Sequence, residues 1–432
     1  VAGTADDRFS AVADGLREAA RRFGTPAYVT DLATIERAGA ALRSAFPDPW
    51  LRHYSIKAND VVAIVAAAAA AAAGATVVSR GEWAIARRAG LADADIALEG
   101  IGKTDLDLRA AVRATADGHP LRWLAVESGD EISRLIELAR RSDLGRRGRP
   151  PIEILLRVNP DVAPETHAGL AVGAGGSKFG MTEAEVAAGL DLIEASGGAV
   201  LARGVHLHVG SQLGAVDAWR EAVRHALAVF ALLQGNAPTM DTLDLGGGFP
   251  VAAVGEPSPG PDRFARELPA LLDAIPAERR PRRLAIEPGR FLVARAGWLI
   301  ATVLHVRDRG GRQVVIDAGM TELIRPALYG ARHDIVALTS LGSVAAGDSP
   351  AMGDTNDVAT VHGPICESTD ALGDHRLPPL RRGDLVAIRD TGAYGASLSS
   401  TYNGRPRPPQ ILLATDGTVT LARRRGSVSS LG

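Results

Sequence analysis

Forty-eight residues are Lys or Arg, yet only Lys57, Lys103 and Lys178 are lysines. A surface cation can be an arginine, but a group that must shed a proton and attack a carbonyl cannot. Each lysine is therefore a candidate for amine chemistry. Lys57 ends the strand-like run Tyr54-Ser55-Ile56-Lys57. There it could enter the mouth of a parallel barrel and form a Schiff base with an aldehyde; an exposed lysine beside a strand is the plain alternative. The single cysteine, Cys366, is followed by Glu367. A lone cysteine usually serves as a small hydrophobe, but a loop thiol can also donate a proton.

Other segments carry complementary groups. Gly246-Gly247-Gly248 follows a short apolar run, and such a turn leaves backbone N–H groups open to an anion or is simply tight. In Glu287-Pro288-Gly289-Arg290 the acid could hold a protonated ring nitrogen and the arginine a phosphate or carboxylate; a surface ion pair is the alternative. His206 and His208 share a strand face. An imidazole there could stack on a planar group, and His206 reads by default as a satisfied core histidine. No neighbouring Cys or acid at ligand spacing makes the pair a zinc site. Arg325, Tyr329 and Tyr402 are natural donors to carboxylate or phosphate.

These residues need elements to hold them. Between residues 30 and 285, β-branched runs at 51–56, 76–78, 96–98, 123–126, 152–158, 204–209, 242–245 and 283–286 alternate with helical stretches at 80–88, 131–139, 183–195 and 218–233. Eight such repeats predict a parallel (β/α)8 barrel, with chemistry at the C-terminal strand ends. From residue 286 to 432 the helical period fades into short apolar runs split by Gly, Asp and Pro, predicting a β-rich domain with which residues 1–29 pack. Surface loops are expected at 255–262 and 341–357.

Composition bounds the partners. A formal net charge of −2 with no basic tract argues against nucleic acid. The alanine-rich stretch 61–79 is too weakly apolar for a membrane span and reads as a helix running into a strand. One cysteine rules out an internal disulfide framework, and the first ten residues lack a signal-peptide pattern. Both fit a cytoplasmic protein.

Taken in order, the lysine segment, His208-Val209-Gly210-Ser211-Gln212, the triple glycine, Glu287-Pro288-Gly289-Arg290, Asp317-Ala318-Gly319-Met320, Gly363-Pro364-Ile365-Cys366-Glu367-Ser368 and the Tyr402-Asn403 segment resemble the fold-type III pyridoxal-phosphate (PLP) decarboxylases, most nearly the diaminopimelate decarboxylases. The resemblance spans nearly the whole chain. It implies an alanine-racemase-like barrel, a C-terminal β domain and a homodimer with shared active sites. It implies that Lys57 binds PLP covalently, that His208 stacks on its ring, and that Glu287 pairs with the pyridine nitrogen. Ser211, Gly246, Gly247, Gly248 and Tyr402, with Arg290, would hold the phosphate. Cys366 and Glu367 would reach the partner subunit's site, Cys366 as proton donor. Arg290, Arg325 and Tyr329 would hold a distal carboxylate, as in the conversion of meso-diaminopimelate to L-lysine and carbon dioxide. Glu367 and Tyr402 would complete the substrate pocket.

Several positions depart from that pattern: Arg80 in place of glycine, Glu and Gly in place of histidine and asparagine within Glu99-Gly100-Ile101-Gly102-Lys103, Gln410 in place of an acid, and Thr369 after Cys-Glu-Ser. They leave open another acidic or carrier-linked amino acid as substrate. A PLP racemase and a catalytically silent regulator of the same fold are the further alternatives.

Overall fold

The computed structural model describes residues 5–162, 176–235, 237–252, 257–339 and 358–430. The loop expected at 341–357 and the start of that at 255–262 lie outside them. The chain forms two compact units, one of residues 38–250 and 257–289, the other of 1–37, 251–256 and 290–432.

The first unit is a parallel barrel. Its nine strand segments run in the order Leu51–Arg52, Arg283–Ile286, Thr242–Asp244, Val200–Leu207, Ile152–Val158, Trp123–Val126, Ile96–Leu98, Ala75–Val77, Tyr54–Ser55. The first and last are halves of one stretch broken at His53, so eight strands make the circuit. The His53 N–H donates to Ile286 O at 2.9 Å and the Tyr54 N–H to Gly74 O at 2.8 Å, which closes it. The predicted helices appear as Arg80–Arg88, Gly129–Arg141, Glu183–Ala195 and Asp217–Gln234, and the alanine-rich stretch is the helix Val62–Ala72 running into Ala75–Val77.

Strand alternation decides what lines the barrel. Ala97, Trp123, Leu155 and Ala285 form a buried apolar layer with Leu51 packed against it. Two residues further along each strand the inward face carries Glu99, Ala125, Arg157 and Glu287, and the next inward position after Ala125 is Glu127. All five are buried. The apolar layer thus floors a charged layer at the C-terminal strand ends, where barrels do chemistry.

The second unit is a mixed sheet. Gly297–Asp308 is its central strand, pairing antiparallel with Ala27–Asp31, Arg312–Ile316 and Leu385–Ile388. Ala27–Asp31 lies parallel to Gln410–Leu413 on its other side. Helix Ala5–Phe23 buries Phe9, Val12 and Leu16 against Trp298, Ile300, Ile411 and Leu413. Among the described residues, no helix is long and apolar enough to cross a membrane.

Candidate active site

Of the three lysines, two are occupied structurally. Lys103 Nζ is buried 3.0 Å from Glu131, and Lys178 lies over the Phe179 ring, 5.2 Å from its centre. Lys57 is exposed in a short 3-10 turn, Ile56–Ala58, at the end of the first barrel strand. Its turn is pinned on both sides. The Tyr54 hydroxyl donates to Asn59 O at 3.0 Å, the Asn59 side chain accepts from Val61 N–H at 3.2 Å, and the Ser55 N–H donates to Pro288 O at 3.3 Å. Gly289 sits close against that turn, since a Cβ there would lie 3.2 Å from Ser55 Cβ and 3.4 Å from Ala58 Cβ. The Lys57 turn and the Glu287 loop are therefore packed together.

The triple glycine is dictated by close approach. A Cβ on Gly246 would lie 2.4 Å from Leu207 O, one on Gly247 2.3 Å from Glu287 O, and one on Gly248 2.5 Å from Gly210 O. Two of the three amides are engaged within the barrel: Gly246 N–H donates to Asp244 Oδ1 at 2.9 Å, and Gly247 N–H to His208 Nδ1 at 3.2 Å. The second bond fixes the His208 tautomer, because an accepting Nδ1 leaves the proton on Nε2. Burial, then the nearby Lys57 and Arg157 charges, holds His208 well below the usual histidine range, so the ring is neutral. Ser211 is half-buried in the adjoining turn, which Leu213 N–H ties to Gly248 O at 3.2 Å.

Glu287 is 5% exposed, deep enough that an anion needs local support. Burial works against its charge, but the neighbouring Glu99 and His206 outweigh it and hold its carboxyl well below the usual range. The Thr76 hydroxyl donates to its Oε1 at 3.4 Å. His206 is not the satisfied core histidine expected: it is buried, its Nε2 stands 3.5 Å from Glu99 and 3.6 Å from Glu287, and neither ring nitrogen has a hydrogen-bond partner.

In the second unit the predicted residues fall into two groups. Arg290, Arg325 and Tyr329 form one, with Arg290 over the Tyr394 ring at 4.8 Å and Arg325 over Tyr329 at 5.8 Å. Arg325 Nε donates to His333 Nε2 at 3.3 Å, and His333 Nδ1 is 2.9 Å from Arg389 O. Burial, then the Arg290 charge, lowers the Arg325 pKa to about 10. The Arg290 charge acts on Arg325 here, so a carboxylate beside the pair would be favoured by both guanidiniums. Cys366, Glu367 and Tyr402 form the other group, all exposed. The Tyr402 hydroxyl donates to Glu367, and Asn403 Nδ2 approaches Cys366 Sγ at 3.6 Å.

A lysine at a barrel strand end, a neutral imidazole hydrogen-bonded to a glycine turn, and a buried ionised glutamate make a constellation with known relatives. Residues 32–294 match the family described as "Pyridoxal-dependent decarboxylase, pyridoxal binding domain". The diaminopimelate decarboxylase of Aquifex aeolicus is 35% identical over 419 residues, covering 95% of this chain and 91% of the relative. That of Vibrio cholerae is also 35% identical, covering 96% and 94%. The chain belongs to the diaminopimelate decarboxylase family of pyridoxal-dependent decarboxylases. Among solved structures, the Helicobacter pylori diaminopimelate decarboxylase complexed with L-lysine superposes with a TM-score of 0.85 at 29% identity, covering 96% of this chain and 98% of that one.

PLP is the cofactor of this family, and the barrel residues fit it. The donor set supplies one primary amine for its aldehyde, one buried carboxylate for its ring nitrogen, one neutral ring for its face, and a glycine turn crowded against backbone where any side chain would clash.

The departures from the family pattern sort by position. Arg80 is the first residue of the helix that Ser79 caps, and its N–H and Nε both donate to Asp107 Oδ1 at 3.1 and 3.2 Å, joining two outer helices. The Thr369 hydroxyl donates to Glu367 Oε2 at 3.4 Å. Gln410 is buried in the second sheet. Only Glu99 stands among the barrel's functional groups. Sequence reasoning missed Tyr394, His333 and Asp244. Asp244 carried a signal, since an Asp two residues before a glycine commonly accepts its N–H; the other two are brought in by tertiary folding alone.

Proposed function

We propose that this chain decarboxylates meso-diaminopimelate to L-lysine and carbon dioxide. The observation that carries this is the packing of the Lys57 turn against the Glu287 loop, with neutral His208 bonded to the glycine turn beside them. When bound, PLP supplies an electron sink for the pair left at the α-carbon as the carboxylate departs. Lys57 Nζ would hold the cofactor through its aldehyde. Glu287, the buried carboxylate, would hold the proton of the ring nitrogen. His208, its proton fixed on Nε2, would support the ring. Ser211, the Gly246–Gly248 turn and Tyr402, with Arg290, would hold the phosphate, Gly248 offering the turn amide that is not donated to Asp244 or His208.

Arg290, Arg325 and Tyr329 select the substrate by its distal carboxylate; a diamine precursor such as ornithine would want an acid there instead. The active species is a homodimer in the cytoplasm. Cys366 of the partner subunit returns a proton to the α-carbon, and Glu367 of the partner subunit holds the distal ammonium. The exposure of both side chains and the single cysteine of the chain support this.

The test is a substrate panel with PLP present: meso-diaminopimelate, L-lysine and L-ornithine, with products resolved by chiral chromatography. Lysine from diaminopimelate alone is expected. Inverted substrate without carbon dioxide would replace this reading by a racemase, and diamine from ornithine would overturn the assignment of the arginines.

A further inference from the structure

Glu99 has no part in the reading above. It lies one residue past the strand Ile96–Leu98 and is 5% exposed. Its Oε2 is 3.5 Å from His206 Nε2, the same nitrogen that lies 3.6 Å from Glu287 Oε1. One atom of each group lies within 4.8 Å of the others. Glu99 Oε1 and both His206 nitrogens are buried without a hydrogen-bond partner.

Two carboxylates this close and this far from water do not both ionise, so the pair retains one proton. The charged groups around them do not change that. Arg157 is committed to Glu127 at 2.6 Å. Asp244, facing Glu287 from the next strand, is itself pushed up by burial and by the Glu287 charge. His206 and His208 are held neutral by burial, and Lys57 lies in the mouth. The proton goes to the carboxylate with less support. Glu287 accepts from Thr76, whereas Glu99 Oε1 meets no donor. Burial and the Glu287 charge push Glu99 well above the usual range.

We propose that Glu99 is a positioning residue for Glu287: as a neutral acid it turns its O–H toward the Glu287 carboxylate and keeps the negative charge of the pair on Glu287, where the cofactor's ring nitrogen needs it. This rests on the role given to Glu287 above. It also accounts for the one departure from the family pattern that falls inside the barrel. A neutral amide can replace the acid's donor function, so Glu99→Gln should be tolerated where Glu99→Ala is not.

The test starts with the cofactor-free protein, its glutamate side chains labelled with 13C, and infrared difference spectra against pH. A glutamic-acid C=O band at neutral pH that vanishes in Glu99→Gln is expected. Absence of the band, or its persistence in Glu99→Gln, overturns the proposal. In the holoenzyme the pH dependence of cofactor absorbance should coincide in wild type and Glu99→Gln and shift in Glu99→Ala. With it kcat should fall on the order of tenfold in Glu99→Ala at unchanged KM, as for other partners that orient a functional group. A Glu99→Gln enzyme as impaired as Glu99→Ala would also overturn it. Should Glu99→Ala not fold, the infrared comparison of wild type with Glu99→Gln decides alone. Failure of the decarboxylase reading appears separately, as no carbon dioxide from any variant, and leaves the infrared result standing.

Discussion

At the scale of single residues, the second unit shows how a buried cation is aimed. Arg325 is 6% exposed, and its Nε is bonded to His333 Nε2, which fixes one edge of the guanidinium and leaves the other for a carboxylate. His333 must be neutral to accept that bond. Burial lowers its pKa to about 4, the Arg325 charge adding to the effect against the bond to Arg389. Unfolded, the same histidine titrates near 6.5. Between pH 6.5 and 4 the unfolded chain therefore binds a proton that the native chain refuses, so stability is present above pH 6.5 and lost as the pH falls through this window. His333→Gln keeps an acceptor but cannot titrate. The unfolding free energy of wild type minus that of the variant should fall by up to roughly 3 kcal/mol from pH 6.5 to 4. Urea titrations at several pH values measure this difference, and a flat difference would show that His333 is charged in the native state.

At the scale of elements, the barrel's polar layer follows from the period of its strands. Six of the eight strand runs read from sequence reappear within a residue or two, because β-branched runs bounded by Gly, Asp and Pro leave little choice of local structure. The 51–56 run is split at His53, and the run read as beginning at Gly204 begins at Val200. Gly204 lies within that strand because Thr242 O occupies the place of its side chain, 1.7 Å from a Cβ. A glycine at a run's edge looks like a boundary in sequence, and only the neighbouring strand shows otherwise. Ala27–Asp31 was illegible for a similar reason, since its partners Gly297–Ile300 and Gln410–Leu413 are hundreds of residues away. Glu99 was visible as an odd residue, but its role needed the alternation from Ala97. The glycine turn gives this scale its prediction. In Gly246→Ala the new Cβ would meet Leu207 O and lie 2.7 Å from His208 Nδ1, at a backbone φ of +64° that suits glycine. Saturable PLP binding, followed by absorbance, should weaken markedly while the folded far-ultraviolet circular dichroism is kept. Unchanged PLP affinity would remove His208 and this turn from the cofactor site.

At the scale of the whole molecule, the candidate groups are divided between two compact units, and Cys366 and Glu367 are exposed. A site completed by the partner subunit makes a prediction that a self-contained site does not. Lys57→Ala and Cys366→Ala homodimers should each be nearly inactive. Mixing them under conditions that exchange subunits should restore activity, because half the sites in a hybrid dimer then carry both wild-type residues. No recovery, despite hybrid dimers confirmed by native mass spectrometry, would place Cys366 in its own subunit's site or outside catalysis. The measurement that bears most directly on the account is release of carbon dioxide and lysine from meso-diaminopimelate by the PLP-loaded protein, with Lys57→Ala alongside. Stoichiometric carbon dioxide and L-lysine from the wild type and none from the variant is the predicted result. Equal turnover by both would contradict the central role of Lys57, and no turnover by a PLP-loaded wild type would contradict diaminopimelate as the substrate.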